Sequence, residues 1–230
     1  MSSPGGRPGR RRMVRSGRLA VLAGASAFTV LLSQHTTTAA FTAQTGVIGN
    51  TATTASTFCT SPGVKTAIAS ADSTGYQGSP ATTYGSDASI AVTTGAGGNA
   101  RAVLRFPLPA LSGCTVTAAT LRLYVNSGQT GRTLDVYRID PAAAVWSEAD
   151  LSWNTLPGTT GSAVSSGSVA TGSWQQWIVT GMMPALYAGV NNGFLVRDQI
   201  DNNSPTRTQY WDSRDSATPA NRPQLVITLA

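Results

Sequence analysis

Glu148 is the only glutamate in this 230-residue chain, and it lies between two tryptophans in Trp146-Ser147-Glu148-Ala149-Asp150-Leu151-Ser152-Trp153-Asn154. A carboxylic acid with a second carboxylate about 5–10 Å away can cleave a glycosidic bond, one group as acid and the other as nucleophile or base. Asp150 or Asp212 would be the partner here, with the indoles as sugar platforms. In the alternative, the tryptophans pack and Glu148 caps a loop or pairs with an arginine. The second reading is preferred, because a lone carboxylate pair is common on protein surfaces.

A second aromatic group is Trp174-Gln175-Gln176-Trp177 followed by Tyr187, and a third is Tyr210-Trp211. Flat aromatic faces stack on the C–H face of a sugar ring, and a neighbouring arginine can grip a carboxylate with two hydrogen bonds. If a sugar site exists, Trp174, Tyr187, Trp211 and Arg214 are its candidate residues, although for any one tryptophan of a β-sandwich packing in the core is the favoured reading. Strand alternation puts Trp174 and Trp177 on opposite faces, so at most one of them faces solvent if both lie in one strand. Asp198-Gln199-Ile200-Asp201-Asn202-Asn203-Ser204 is rich in oxygen ligands, which makes Asp198 and Asp201 candidates for a structural calcium ion. A polar loop with side-chain turns is the plainer reading of that segment. No other cofactor is expected.

The charge is distributed unevenly. Of 16 lysines and arginines, six (Arg7, Arg10, Arg11, Arg12, Arg15 and Arg18) fall in the first 18 residues, and no acidic residue precedes Asp72. From Phe41 onward ten basic residues face ten acidic ones. The +6 of the whole chain thus belongs to its start, and the remainder lacks the basic excess that nucleic-acid binding uses to displace counterions. His35, the single histidine, lies in the same early stretch, so nothing after it supports a Ser-His-Asp triad or an imidazole zinc site.

That stretch reads as an export leader. A basic segment precedes the apolar run Leu19–Leu32, and Thr36-Thr37-Thr38-Ala39-Ala40 supplies small residues for cleavage. Fourteen apolar residues are few for a membrane span, which needs about 20. Residues 1–40 are expected to be a signal peptide, with a retained anchor as the alternative. Arg10-Arg11 leaves the general and twin-arginine export routes both open. The product would be secreted, extracellular or associated with the cell surface, with no membrane segment once the leader is cleaved.

An oxidising compartment suits a disulfide between the only two cysteines, Cys59 and Cys114. Residues 41–70 are rich in Thr, Ala and Ser and read as a polar arm, leaving 71–230 as one domain. Period-two alternation marks strands at Arg101–Phe106, Leu121–Val125 and Leu225–Leu229, with shorter ones at Thr133–Ile139 and Phe194–Val196. Turn clusters separate them at Ser127–Gly131, Pro157–Gly161 and Asn191–Gly193. Only Met182–Tyr187 looks helical, and Pro184 keeps it short. The fold class is all-β, an antiparallel sandwich.

The order of several segments is more specific than any one of them. Pro80, Tyr84 and Gly85 precede Arg101-Ala102-Val103-Leu104-Arg105-Phe106-Pro107-Leu108, and then come Val116–Tyr124 and Trp146-Ser147-Glu148 with Trp153-Asn154 and Pro157. Val179-Thr180, Asn192-Gly193-Phe194, Ser213-Arg214-Asp215 and Arg222-Pro223-Gln224-Leu225 complete the series. The series resembles the DNRLRE domain, also called carbohydrate-binding module family 96, over residues 71–230. The chain departs from that pattern with Ile178 before Val179-Thr180, where the family tends to carry an acid. Two further departures are Tyr187, where it often has Trp, and Asp215, where it often has Glu.

The resemblance implies a single jelly-roll β-sandwich on a secreted bacterial or archaeal protein, with a polysaccharide partner, acidic in some members. It also implies largely structural roles for the shared residues: Arg105 and Phe106 on a core strand, Trp146 and Trp153 bracing a loop, Ser213-Arg214-Asp215 near the last strand. A non-catalytic binding module is thus the first expectation. A structural surface or matrix protein bound to cell-wall or matrix components is the second, and an enzyme using Glu148 the third.

Overall fold

The computed structural model describes residues 58–230; the leader expected at 1–40 and residues 41–57 of the expected arm lie outside the described residues. The strands are β1 (Gly63–Ile68), β2 (Ala71–Tyr76), β3 (Ser89–Thr94), β4 (Ala100–Arg105), β5 (Val116–Gly128) and β6 (Thr133–Ile139). After them come β7 (Thr159–Gly167), β8 (Trp174–Ile178), helix α1 (Met183–Ala188), β9 (Phe194–Asp198), β10 (Arg207–Asp212) and β11 (Gln224–Leu229). The pairing is antiparallel throughout, in the order β1-β11-β5-β10-β3-β4-β9-β6-β7, with β8 added to β5 and β2 to β4. One curled sheet therefore closes into an all-β sandwich.

Alternation builds the core. On β5 Ala119, Leu121, Leu123 and Val125 point inward; β11 supplies Leu225, Ile227 and Leu229. Opposite them β4 contributes Ala102 and Leu104, β9 Phe194 and Val196, and β6 Leu134 and Val136. All of these belong to one apolar cluster, so the residues between them on β5 and on β4, β9 and β6 face away from each other on the two outer faces. A smaller cluster (Ala71, Val103, Ile139, Leu195) lies outside β4 and β9 and is roofed by Trp146 and Leu151 from the 140–158 connection. Among the described residues no helix is long and apolar enough to cross a membrane.

The N-terminal boundary of the domain differs from the sequence reading. β1 lies within the stretch read as arm, yet it pairs along its whole length with β11, from Gly63↔Leu229 to Ile68↔Gln224. Its sequence, Gly-Val-Lys-Thr-Ala-Ile, alternates weakly because as an edge strand it buries little, and its Val64 and Ile68 face solvent. The domain begins at Gly63 rather than at 71. Cys59 and Cys114 are disulfide-bonded, tying the chain just before β1 to the turn before β5.

Candidate functional site

The shared-motif residues are engaged in holding loops. Trp146 donates its indole N–H to the Asn192 carbonyl at 2.9 Å, and the Asn192 amide donates to the carbonyls of Asp140 and Ala143 at 3.0 Å each. Gly193 has φ +81°, and a Cβ there would collide with the Leu104 carbonyl oxygen, so no other residue fits. Gly85 has the same necessity on the other side of the loop, where a Cβ would meet Glu148 at 2.5 Å. Arg105 lies 5.2 Å over the Trp146 ring and donates to its carbonyl. Ser213 donates its hydroxyl to the Asp87 carbonyl at 2.6 Å.

Glu148 is part of this framework. Its Oε1 accepts the backbone N–H of Asp72 at 2.8 Å and lies 2.6 Å from Arg214 Nε. Asp215 is 3.6 Å from the same nitrogen, and Arg214 donates its backbone N–H to Asp72 Oδ2 at 2.8 Å. The Asp72, Glu148 and Asp215 carboxylates converge within 4.8 Å with the guanidinium among them. Burial pushes the Asp72 carboxyl up to about 7, with the Arg214 N–H pulling down and Glu148 and Asp215 pushing up. Asp150 is turned to the Ser147 hydroxyl at 2.6 Å, and Asp212 accepts from Asn126 at 3.0 Å. The sequence alternative in which Glu148 pairs with an arginine is the arrangement present.

Three of the four candidate sugar-contacting residues are occupied elsewhere. Trp211 is fully buried: on β10, Gln209 and Trp211 point inward and Tyr210 outward, so its indole meets Trp177 edge to face at 6.2 Å. It is removed from the candidate surface, because the alternation of β10 runs opposite to the expectation. Tyr187, on α1, packs against the core and donates its hydroxyl to the Pro109 carbonyl at 2.9 Å. Arg214 is locked among acids. Asp198 and Asp201 do not converge on a shared cation. Asp198 is buried and gripped through both oxygens by Arg132 and also accepts the Ile200 N–H, and Asp201 pairs with Arg101 at 2.8 Å.

Trp174 remains, partly exposed on the outer face, while Trp177 is buried and donates to the Leu134 carbonyl at 2.9 Å. Strand pairing sets Trp174 opposite Tyr124, and the rings meet edge to face at 5.4 Å. Arg122, two residues along the same face of β5, lies 4.5 Å over the indole. Its Nε is buried without a hydrogen-bond partner, and Arg122 forms no ion pair among the described residues. Gln176 and Gln224 flank Arg122 across the strands. The platform is two aromatic rings and an uncommitted guanidinium on a solvent-facing sheet, a surface suited to stacking a sugar and holding its polar groups.

The family model described as carbohydrate-binding module family 96 matches residues 63–229, and the chain belongs to that family. The matched span opens at the first residue of β1. Comparison with curated proteins finds no match. Membership in a carbohydrate-binding family implies a carbohydrate partner.

Proposed function

We propose that this chain is an exported, non-catalytic module that holds an acidic polysaccharide on the outer face of β8 and β5. One observation carries the reading: Trp174 and Tyr124 sit side by side with Arg122 over the indole and, among the described residues, no acid paired to it. The Arg122 guanidinium swings from the indole to a uronate carboxylate, which it can take with two parallel hydrogen bonds, and so uncovers the ring for the C–H face of the sugar. Gln176 and Gln224 are placed to meet hydroxyls. Export is supported by the basic segment, apolar run and small residues of 1–40, and cell-wall or matrix polysaccharide is then the partner within reach.

The test is affinity electrophoresis of the full chain in gels carrying alginate, pectate, xylan or cellulose derivatives. Retardation by an acidic polymer, weakened in Arg122→Gln and Trp174→Ala, is the expected result. Equal retardation of wild type and both variants would assign binding to another surface.

A structural role without glycan affinity draws on one feature. Ile178 on β8 and Val64 on β1 are 73% and 65% exposed at the rim of the same face. That reading requires concentration-dependent self-association in sedimentation velocity, relieved by Ile178→Ser.

A further inference from the structure

Arg101 and Arg197 stand next to each other on the opposite outer face. β4 and β9 pair in antiparallel register at Ala102↔Val196 and Val103↔Leu195, which sets Arg101 beside Arg197 one step further along. Like charges directly opposite each other on a sheet are destabilising unless something lies between them. Arg101 is partly neutralised by Asp201 at 2.8 Å and lies 5.0 Å over the Trp153 ring. Arg197 has no ion pair among the described residues; it lies 5.4 Å over the Tyr137 ring. Asp135, its cross-strand neighbour on β6, is turned to the Ser165 hydroxyl at 2.6 Å and to the Tyr137 hydroxyl at 3.5 Å. Both arginines keep a buried Nε with no hydrogen-bond partner.

Arg101 and Arg197 line one open groove of about 320 Å³ together with Tyr137, Leu195, Pro157 and Thr159. Its volume is on the scale of one sugar residue, and its chemistry is one guanidinium without an acid partner among the described residues, Arg197, beside a second that shares Asp201, each lying over an aromatic ring. We propose that this groove is a second binding site, for the carboxylate or sulfate of an anionic glycan, so that one module holds two chains, one on each outer face. The polysaccharide identity rests on the family reading above; the anion site itself rests on the arginine pair.

The experiment is isothermal titration, with NMR chemical-shift mapping, of the full chain with three probes of equal length: a trigalacturonate, a sulfated galactan trimer and neutral xylotriose. Two sites are expected for at least one charged probe, with shifts around Arg197 and Tyr137 that Trp174→Ala leaves in place. Arg197→Gln should weaken the groove about tenfold or more without altering the Trp174 site. Arg197→Lys should restore part of the affinity with a steeper salt dependence, because an ammonium acts as a point charge.

The carboxylated and sulfated arms distinguish the two anions. Shifts at Trp174 alone, an Arg197→Gln protein indistinguishable from wild type, or groove shifts of equal size with xylotriose would each overturn the proposal. Loss of platform shifts with retained groove shifts would instead count against the Trp174 site and leave the groove standing. Thermal melts of each variant separate lost binding from lost fold.

Discussion

Glu148 Oε1 sits 2.6 Å from Arg214 Nε and accepts the Asp72 backbone N–H at 2.8 Å, so the only glutamate of the chain ties the 140–158 connection to β2 and to the turn after β10. A carboxylate used this way braces the fold. Glu148→Gln, which keeps an acceptor for the Asp72 amide but removes the charge facing Arg214, is expected to lower stability by about 1 kcal/mol, since the pair is partly solvated. Thermal denaturation checks it. Glycan-degrading activity that appears in the wild type and vanishes in this variant would contradict the bracing role.

Asp72 makes stability depend on pH. Its folded-state value is raised to about 7 from 3.8, with burial as the first cause, so the folded chain holds this proton more tightly than the unfolded chain does. The resulting stabilisation is complete below about pH 4 and is lost as pH rises towards 7. Asp72→Asn removes the titration while keeping an oxygen for the Arg214 N–H. Compared with wild type, the variant should melt at nearly the same temperature at pH 4 and several degrees higher at pH 8. Parallel melting curves across that range would refute the assignment.

The two buried indoles of the core pair should respond differently to loss of their N–H. Trp177 donates to the Leu134 carbonyl, whereas Trp211 Nε1 is buried with no partner. Trp177→Phe removes a buried hydrogen bond and should cost about 1 kcal/mol more than Trp211→Phe, which removes none. Denaturant titration of both variants measures the difference; equal losses would mean that ring volume alone sets the cost.

The Cys59–Cys114 bridge closes a 55-residue separation, worth on the order of 4 kcal/mol in the chain-entropy description. Replacing both cysteines by serine should lower the melting temperature by about 10 °C for a chain of this size. An unchanged melting temperature would show that the segment before β1 contributes nothing to the cooperative unit.

Strands with a plain inward-apolar pattern are legible in the amino-acid sequence alone. Leu121-Arg122-Leu123-Tyr124-Val125 and Leu225–Leu229 lie in strands, and their alternation by itself implies that Arg122 and Tyr124 face outward. Ala71–Tyr76 and Thr159–Gly167 carry no such signal. β2 is almost wholly buried although its residues include Asp72, Ser73 and Thr74; Thr74 accepts the Ala91 N–H at 2.9 Å and Asp72 the Arg214 N–H at 2.8 Å, contacts that no local pattern announces. Composition points to Trp174 but not to its neighbours Tyr124 and Arg122, because their meeting depends on β8 joining β5 across about 50 residues of chain, a register no local pattern encodes. Trp211 is misassigned to the surface for the related reason that Arg-Thr-Gln-Tyr-Trp-Asp does not say which of its faces is inward.

Binding at the Trp174, Tyr124 and Arg122 platform is tested most directly by the affinity of wild type and Trp174→Ala for one acidic oligosaccharide, measured by isothermal titration with melting temperature as the fold control. Removing the indole should weaken the Arg122-side site about tenfold, equivalent to roughly 1.4 kcal/mol, while the melting temperature moves little because the ring lies on the outer face. An affinity unchanged in Trp174→Ala and in Trp174→Ala/Tyr124→Ala, with both proteins folded, would contradict the platform as the site where this module holds carbohydrate.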